Sequence, residues 1–282
     1  MSNIKRLFLF AGYNKDGFID EALVYYVKEL AKYGDVILCM DSDCKNTELN
    51  KVKQYTIARI NGRHGEYDFG SYKRAYEYAK QKNIFKNYDF VYMVNDSVYG
   101  PLHSLKPILH KMESFNTDAT GMTESIHTKY THIQSWFIGM RPSIFLSEWF
   151  DKFIMSVTHQ EHKYLVTVLY ENKFTELVTE HNLTWACPFK CPGRSVYNKP
   201  KKLFLSGCPF IKKISFTRHN GAIGNQLYYI LSHCDKQTAK IIINAANHAY
   251  TQDYTSWLLT KNPLSAWMRG IKYALQKLRG KK

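Results

Sequence analysis

The stretch YDFVYMVNDSVYGP, residues 88–101, decides how the rest of the chain is interpreted. It holds a continuous apolar run, Phe90 to Val94, which ends in the polar Asn95-Asp96-Ser97 before Gly100-Pro101. An apolar run of this length bounded by turn residues is typical of a buried strand. In open α/β sheets the carboxyl ends of such strands open into the crevice where ligands bind. The stretch therefore predicts a central strand whose Asp96 is either a ligand-binding carboxylate or the cap of the next turn.

Strand and helix patterns alternate on both sides of this segment. Further strands are predicted at residues 7–11, 36–40, 55–60, 119–125 and 133–141, and helices at 19–34, 70–82 and 105–115. Such alternation favours a mainly parallel sheet covered by helices. After about residue 145 the pattern becomes helical and then irregular. We therefore predict an α/β fold with a mainly helical or irregular C-terminal portion.

A second acidic cluster, Asp41-Ser42-Asp43, follows the predicted strand at 36–40. Because parallel strands end at one edge of a sheet, Asp41, Asp43 and Asp96 are expected at the same edge. Carboxylates there either hold a divalent cation or cap the following turns. Between the two clusters lies INGRHGEYDFGSYKR, residues 60–74, whose glycines permit close ligand approach and whose cationic side chains suit phosphate. The segment contains neither a Walker loop nor a G-x-G-x-x-G dinucleotide motif.

Composition narrows the class of partner. The 282 residues are 45% hydrophobic, which is ample for a core, and carry a formal net charge of +15. A strongly basic chain favours an anionic partner, namely nucleic acid, an acidic lipid surface or a phosphorylated substrate. The N-terminal apolar run is too short for a signal peptide, and no run reaches the length of a membrane span. We expect a cytoplasmic protein.

Five segments follow one another along the chain: GEYDFGSYKRAYEYA (65–79), YDFVYMVNDSVYGPLHSLKPILHKM (88–112), DATGMTES (118–125), HIQSWFIGMRPSIF (132–145) and YENKFTELVTEHNL (170–183). In this order they resemble the rhamnan synthesis protein F family, bacterial proteins of cell-surface polysaccharide assembly regarded as glycosyltransferases. The resemblance implies a GT-A-like, Rossmann-type sheet that binds a nucleotide-sugar donor. It also implies that the acceptor is a lipid-linked cell-surface glycan (O-antigen, capsule or rhamnan type). The family label suggests rhamnose as the transferred sugar.

The resemblance also implies roles for residues around the predicted edge. Asp96 would bind a divalent cation, Mn²⁺ or Mg²⁺, on the donor diphosphate, although Asn95-Asp96-Ser97 departs from the usual Asp-x-Asp by having a single carboxylate. Asp41 and Asp43 would contact the nucleotide base or ribose. The remaining donor-site residues would be Arg63, Tyr67, Asp68, Lys73, Asn95 and Ser97.

Sugar transfer with inversion, which we expect here, needs a general base that deprotonates the acceptor hydroxyl. Three side chains beyond the fourth strand are candidates: Asp118, Glu124 and His132. Glu124 is favoured because TGMTES places it at a predicted strand end. The alternatives are that Glu124 is an exposed turn residue and that His132 makes an ordinary polar contact.

The chain is expected to divide into three parts. Residues 1–180 would form the donor-binding and catalytic core, 181–260 an acceptor-side portion of the same domain, and 261–282 a basic amphipathic helix. In that helix Leu264, Trp267, Met268, Ile271, Leu275 and Leu278 recur at three- and four-residue steps, which makes one apolar stripe. Such a helix is suited to the surface of an anionic bilayer, so we expect peripheral binding to the inner face of a bacterial cytoplasmic membrane. The alternative is that the stripe docks on the protein's own core.

A different class of function would also fit the positive net charge of the chain. The chain could be a non-catalytic basic protein that binds an acidic membrane or nucleic acid. No nucleic-acid-binding motif is present, and the acidic strand ends would repel phosphate without a cation, so we expect no nucleic-acid partner.

Overall fold

The structure is a computed structural model that describes residues 4–126 and 131–279. The strands are β1 (Arg6–Gly12), β2 (Asp35–Met40), β3 (Ala58–Asn61), β4 (Phe90–Asn95), β5 (Val98–Tyr99), β6 (Ala119–Gly121), β7 (Thr123–Ile126), β8 (Thr131–Ile133), β9 (Phe137–Met140), β10 (Trp185–Ala186), β11 (Phe189–Pro192) and β12 (Ile211–Lys212). The helices are α1 (Glu21–Ala31), α2 (Asn46–Asn50), α3 (Tyr67–Gln81), α4 (Lys106–Glu113), α5 (Pro142–Phe145), α6 (Glu148–Met155), α7 (Lys163–Val166), α8 (Lys173–Glu180), α9 (Ser195–Asn198), α10 (Pro200–Leu205), α11 (Gly224–His233), α12 (Lys236–Tyr250), α13 (Gln252–Leu258) and α14 (Pro263–Arg279). A π-helical segment, Thr167–Asn172, precedes α8.

A seven-stranded sheet in the order β10-β6-β9-β4-β1-β2-β3 forms the centre of the fold. Strands β4, β1, β2 and β3 run parallel, whereas β9 is antiparallel to both of its neighbours, β4 and β6. The predicted α/β class, a mostly parallel sheet flanked by helices, is confirmed, and its GT-A-like character stays a prediction. The predicted strand at 119–125 is divided into β6 and β7, and the predicted strand at 133–141 starts at the last residue of β8 and contains β9. Strands β7 and β8 form a small second sheet with β11.

Helices cover both faces of the sheet, which explains why β1 is apolar along almost its whole length. Phe10 faces Tyr26 of α1, with ring centroids 5.1 Å apart. Leu9 belongs to the core cluster on the opposite face, together with Phe69 and Tyr72 of α3. In the sequence, strands that are buried on both faces appear as continuous apolar runs, whereas strands buried on one face alternate apolar and polar residues.

The chain forms two compact units. The first comprises Met1–Asp96 and Leu105–Gly193, and the second comprises Ser97–Ser104 and Arg194–Lys282. Because β10 pairs with β6 and β11 pairs with β7, the first unit continues past the expected boundary at residue 180. The functional division at residues 180 and 260 remains a prediction.

The second unit is mainly helical and includes α14, which begins at Pro263 within the predicted 261–282 segment. Ala266 is buried, and Arg269 donates to the carbonyl of Leu258 at 3.2 Å while its guanidinium lies 4.1 Å from the Trp257 ring. The predicted apolar stripe is exposed, each side chain by 39% to 68%: Leu264, Trp267, Met268, Ile271, Leu275 and Leu278. It therefore does not dock on the core of the described chain. The last three residues of the predicted 261–282 segment lie outside the described residues.

Candidate active site

The carboxyl ends of β2 and β4 flank the end of β1. The backbone N–H of Asp41 donates to the Gly12 carbonyl at 2.9 Å, and that of Asp96 donates to the Ala11 carbonyl at 3.1 Å. These bonds continue the parallel ladders by one residue beyond the strands. Asp41 and Asp96 therefore lie at one edge of the sheet, as their positions in the sequence predict.

Asp41 is buried, and one of its carboxylate oxygens shapes the loop that follows β3. This oxygen accepts the backbone N–H groups of His64 at 2.7 Å and Gly65 at 3.0 Å. The His64 ring accepts the N–H of Glu66 at Nδ1, so its Nε2 carries the proton and donates to the Ser71 hydroxyl at 3.0 Å. Burial and the neighbouring Arg74 lower the pKa of His64, which keeps the ring neutral. Asp41 thus holds the loop in place.

Asp43 and Arg63 lie at the solvent side of the same edge. The Arg63 backbone donates to Asp43 at 3.1 Å, and its guanidinium donates to the Lys15 carbonyl at 2.9 Å. The Arg63 side chain is still 47% exposed. A guanidinium that is positioned by one hydrogen bond and still partly exposed is suited to binding an anionic oxygen, because its planar N–H groups match phosphate geometry.

Asn95 and Asp68 join the end of β4 to the start of α3. The buried Asn95 amide donates to the Asp68 carboxylate at 2.8 Å. Tyr67, at the first position of α3, has a positive φ of 57°, which is uncommon for a residue with a side chain. The contact fixes the orientation of Asn95, and hence the backbone that leads into Asp96.

Two predicted donor-site residues make their contacts elsewhere. Lys73 donates to the Val157 carbonyl at 2.9 Å, beyond the end of α6. Ser97 belongs to the second unit, where its hydroxyl accepts from Lys212 at 2.7 Å. The structure therefore brings together Asp41, Asp43, Arg63, Asp68, Asn95 and Asp96 in the first unit, with Tyr67 beside them, and does not place the Lys73 ammonium among them.

The carboxylates at this edge are few. Among the residues described, no group of three His, Cys, Asp or Glu side chains is placed to hold a metal ion. A Mg²⁺ ion bound to a phosphorylated substrate, however, commonly uses only one or two protein carboxylates and takes its other ligands from phosphate and water. Asp96 therefore fits only a cation that would take most of its ligands from phosphate and water, and does not fit a cation held by protein alone.

The candidate bases Glu124 and His132 lie on the β7–β8 ribbon. Glu124 pairs with Ile133 and Ser125 with His132, and paired residues share one face while successive residues alternate. Glu124 and His132 therefore lie on opposite faces of the ribbon. Glu124 shares its face with Ile133 of the core cluster, and its charge helps burial to raise the pKa of Cys187.

Asp118 lies at the other edge of the sheet. Strands β6 and β4 are both antiparallel to β9, so they run parallel to each other, and Asp118 precedes β6. Its carboxylate accepts from Ser143 at 2.7 Å and from the backbone of Thr184 at 2.9 Å. Burial raises the pKa of Asp118, but these hydrogen bonds outweigh it and lower the value. Asp118 therefore joins β6 to its neighbours and does not lie with the strand-end residues.

The sequence reasoning missed Glu171, which the structure places against His132. Its Oε1 lies 3.2 Å from His132 Nε2, and its other oxygen accepts from the backbone and hydroxyl of Ser135. The only signal in the sequence is that Glu171 falls within YENKFTELVTEHNL, one of the family-like segments.

The profile of the family described as "Rhamnan synthesis protein F" matches residues 36–276. The chain belongs to the rhamnan synthesis protein F family. The match includes both acidic clusters, the β7–β8 ribbon and most of α14. Membership supports a transferase of the glycosyltransferase kind, with a part in polysaccharide biosynthesis. A comparison with curated protein sequences gives no match.

Two solved structures are similar to this member of the rhamnan synthesis protein F family. One is core-mannan synthase A from Aspergillus fumigatus in its Mn/GDP form, with 13% identity, a TM-score of 0.31, and coverage of 54% of this chain and 63% of that chain. The other is a cytidylyltransferase from Leptospira borgpetersenii serovar Hardjo-bovis (strain JB197), with 12% identity, a TM-score of 0.40, and coverage of 88% and 96%. The chain thus spans less than two thirds of the mannan synthase. Similarity at these TM-scores does not establish shared chemistry or cofactor use.

Within residues 4–126 and 131–279 of this family member, no helix combines the length and the apolar character needed to cross a bilayer.

Proposed function

We propose that this protein is an inverting glycosyltransferase that moves a sugar from a nucleotide-sugar donor to a lipid-linked cell-surface glycan, with rhamnose as the first sugar to test. The observation that carries the proposal is the grouping of Arg63, Asp68, Asn95 and Asp96 at the carboxyl edge of a parallel sheet, in a member of the rhamnan synthesis protein F family. In open α/β sheets this edge is where nucleotides bind.

The donor diphosphate is assigned to the open side of the edge. Arg63 is held by Asp43 and the Lys15 carbonyl and presents its remaining N–H groups to phosphate oxygens. Asp96 would hold a Mg²⁺ or Mn²⁺ ion on the same diphosphate, and the ion would neutralise the charge that develops on the leaving group. Asp43 and Asp68 would also accept hydrogen bonds from the nucleoside.

Donor binding distinguishes this proposal from a non-catalytic basic protein. In calorimetry with a panel of nucleotide sugars and Mn²⁺ or Mg²⁺, we expect one nucleotide class to bind with 1:1 stoichiometry. The same donor should release its nucleotide diphosphate when a lipid-linked acceptor is added. If no nucleotide sugar binds while anionic vesicles or nucleic acid do, the glycosyltransferase assignment is wrong and the binding-protein alternative holds.

The exposed stripe of α14 is assigned to the surface of an anionic bilayer. Its apolar side chains are each 39% to 68% exposed, and no acidic residue follows Asp253. A cationic helix with an exposed apolar face that includes Trp267 has the composition of a helix that lies in the lipid headgroup region. A lipid-linked acceptor would be presented at that surface, so we assign the protein to the inner face of the cytoplasmic membrane.

We expect the double variant Trp267→Ser/Leu275→Ser to float with vesicles containing phosphatidylglycerol about tenfold less than the wild type, because both side chains lose their apolar contact with the acyl region. Gln276→Ser, an exposed polar position of the same helix, is the matched control and should float like the wild type. Equal flotation of the double variant and the wild type, or flotation of neither at moderate salt, contradicts the membrane assignment.

A further inference from the structure

The pair formed by Glu171 and His132 is largely shielded from solvent, with 19% of the Glu171 side chain and 11% of the His132 side chain exposed. Burial raises the pKa of Glu171, but hydrogen bonds from His132 and Ser135 outweigh it and lower the value, so the carboxylate is ionised. Glu171 lies in the π-helical segment Thr167–Asn172, and π-helical insertions are frequent at functional sites because they displace a side chain from the regular helical position.

The ionised carboxylate fixes the tautomer of His132. A carboxylate only accepts hydrogen bonds, so the ring nitrogen that faces it, Nε2, carries the proton. In the neutral ring Nδ1 is then a bare acceptor. Only 9% of His132 is exposed, and Nδ1 is buried with no hydrogen-bond partner among the described residues. Buried polar atoms in native proteins nearly always have a partner, so a bare buried nitrogen needs a water molecule or a ligand hydroxyl as its hydrogen-bond partner.

Hydrogen bonds connect this pair to the end of β4. Trp136 accepts the backbone N–H of Asn95 at its carbonyl, at 3.1 Å, and its indole N–H donates to the Thr123 hydroxyl at 2.8 Å. The carbonyl of Ser135 accepts from the Tyr72 hydroxyl at 3.1 Å. The segment that carries His132 is therefore fixed relative to Asn95, and through it to Asp96.

We propose that His132 Nδ1 is the base that takes the proton of the acceptor hydroxyl, and that Glu171 is the residue that positions it for this role. The proposal rests on the proposed glycosyl transfer. In the step, the acceptor oxygen bonds to the anomeric carbon, and its proton passes to Nδ1. The bond from the anomeric carbon to the diphosphate oxygen breaks, and its electron pair leaves with the nucleotide diphosphate. The imidazolium that forms is stabilised by the Glu171 carboxylate, as a carboxylate orients and stabilises the imidazole of other acid–base pairs.

Glu171→Gln gives a sharp test because the two oxygens of Glu171 have different partners. One oxygen accepts hydrogen bonds from both the backbone N–H and the hydroxyl of Ser135. The backbone N–H can only donate, so it always needs an acceptor at this position. The carbonyl oxygen of Gln therefore faces Ser135, and its NH₂ group faces His132. To accept from that NH₂ group, Nε2 must give up its proton, which moves to Nδ1. The substitution is expected to reverse the tautomer and to remove the base without changing the size of the side chain.

The test uses the full chain and two readouts. Long-range ¹H–¹⁵N correlation spectra should show His132 protonated at Nε2 in the wild type and at Nδ1 in Glu171→Gln. Turnover of the donor found in the panel should fall about 10²-fold or more in Glu171→Gln and in His132→Gln, with the KM for the donor unchanged, as loss of a general base predicts. Glu176→Gln, an exposed position of α8, is the matched control and should keep the wild-type spectrum and rate.

Each contrary result has a definite meaning. A wild-type His132 protonated at Nδ1, or a Glu171→Gln variant that keeps the wild-type kcat, overturns the proposal. If Glu124→Gln abolishes transfer while His132→Gln does not, the base is Glu124 and the proposal is wrong. If the wild type transfers sugar from no donor in the panel, the proposed function fails, and the base assignment fails with it.

Discussion

Replacing Asp96 by Asn is expected to reduce kcat/KM for the nucleotide-sugar donor by about 10²-fold or more when the divalent cation is limiting. A metal ion that neutralises a leaving diphosphate contributes several kcal/mol to the transition state, and each 1.36 kcal/mol corresponds to a factor of ten in rate. An amide oxygen carries no net charge, so it binds the cation more weakly than the carboxylate does. High concentrations of Mn²⁺ should restore part of the lost rate.

The matched control is Asp89→Asn, at the opposite end of the strand that leads to Asp96. Asp89 accepts the backbone N–H of Lys5 at 2.8 Å at an exposed position. Steady-state rates measured across a titration of Mn²⁺ and Mg²⁺ separate the two variants. If Asp96→Asn matches the wild type at saturating donor and limiting metal, the proposed role of Asp96 in metal binding is wrong.

Replacing Glu113 by Gln is expected to destabilise the protein by about 3–5 kcal/mol, the usual cost of removing one partner of a buried ion pair. Glu113 accepts from Arg6 Nε at 2.5 Å and from Nη2 at 2.7 Å, and also from the Tyr92 hydroxyl at 2.8 Å. Its side chain is only 3% exposed. The variant leaves a half-buried guanidinium with fewer acceptors, next to two strands of the central sheet.

Thermal unfolding should show this loss as a decrease in Tm of about 10 °C for a unit of this size. Glu148→Gln is the control, since Glu148 forms an exposed ion pair with Lys152, and it should leave Tm nearly unchanged. Equal Tm values for Glu113→Gln and Glu148→Gln would show that the Arg6–Glu113 pair does not stabilise the sheet.

The sequence alone determined the central parallel strands and the edge at which they end. The apolar runs at residues 7–11, 36–40 and 90–94 identify strands that are buried on both faces, because burial on both faces requires apolar side chains at every position. Asp41 and Asp96 directly follow two of these runs, and all parallel strands end at one edge. Their proximity is a consequence of local pattern and parallel topology, which is why it could be predicted.

The tertiary structure decided that strand β8 ends at Ile133, and it decided which carboxylate contacts His132. Residues 133–141 look like one strand, but Thr123 bonds both Gln134 and Trp136, while Ser135 bonds Glu171, so the pairing is interrupted there. Asp118 lies at the opposite edge because it precedes β6, whereas Glu171 contacts His132. These contacts join residues that are far apart in the chain, and periodicity carries no information about them. They depend on how the helices pack on the sheet, because a buried polar side chain must find its hydrogen-bond partner in whichever element packs against it.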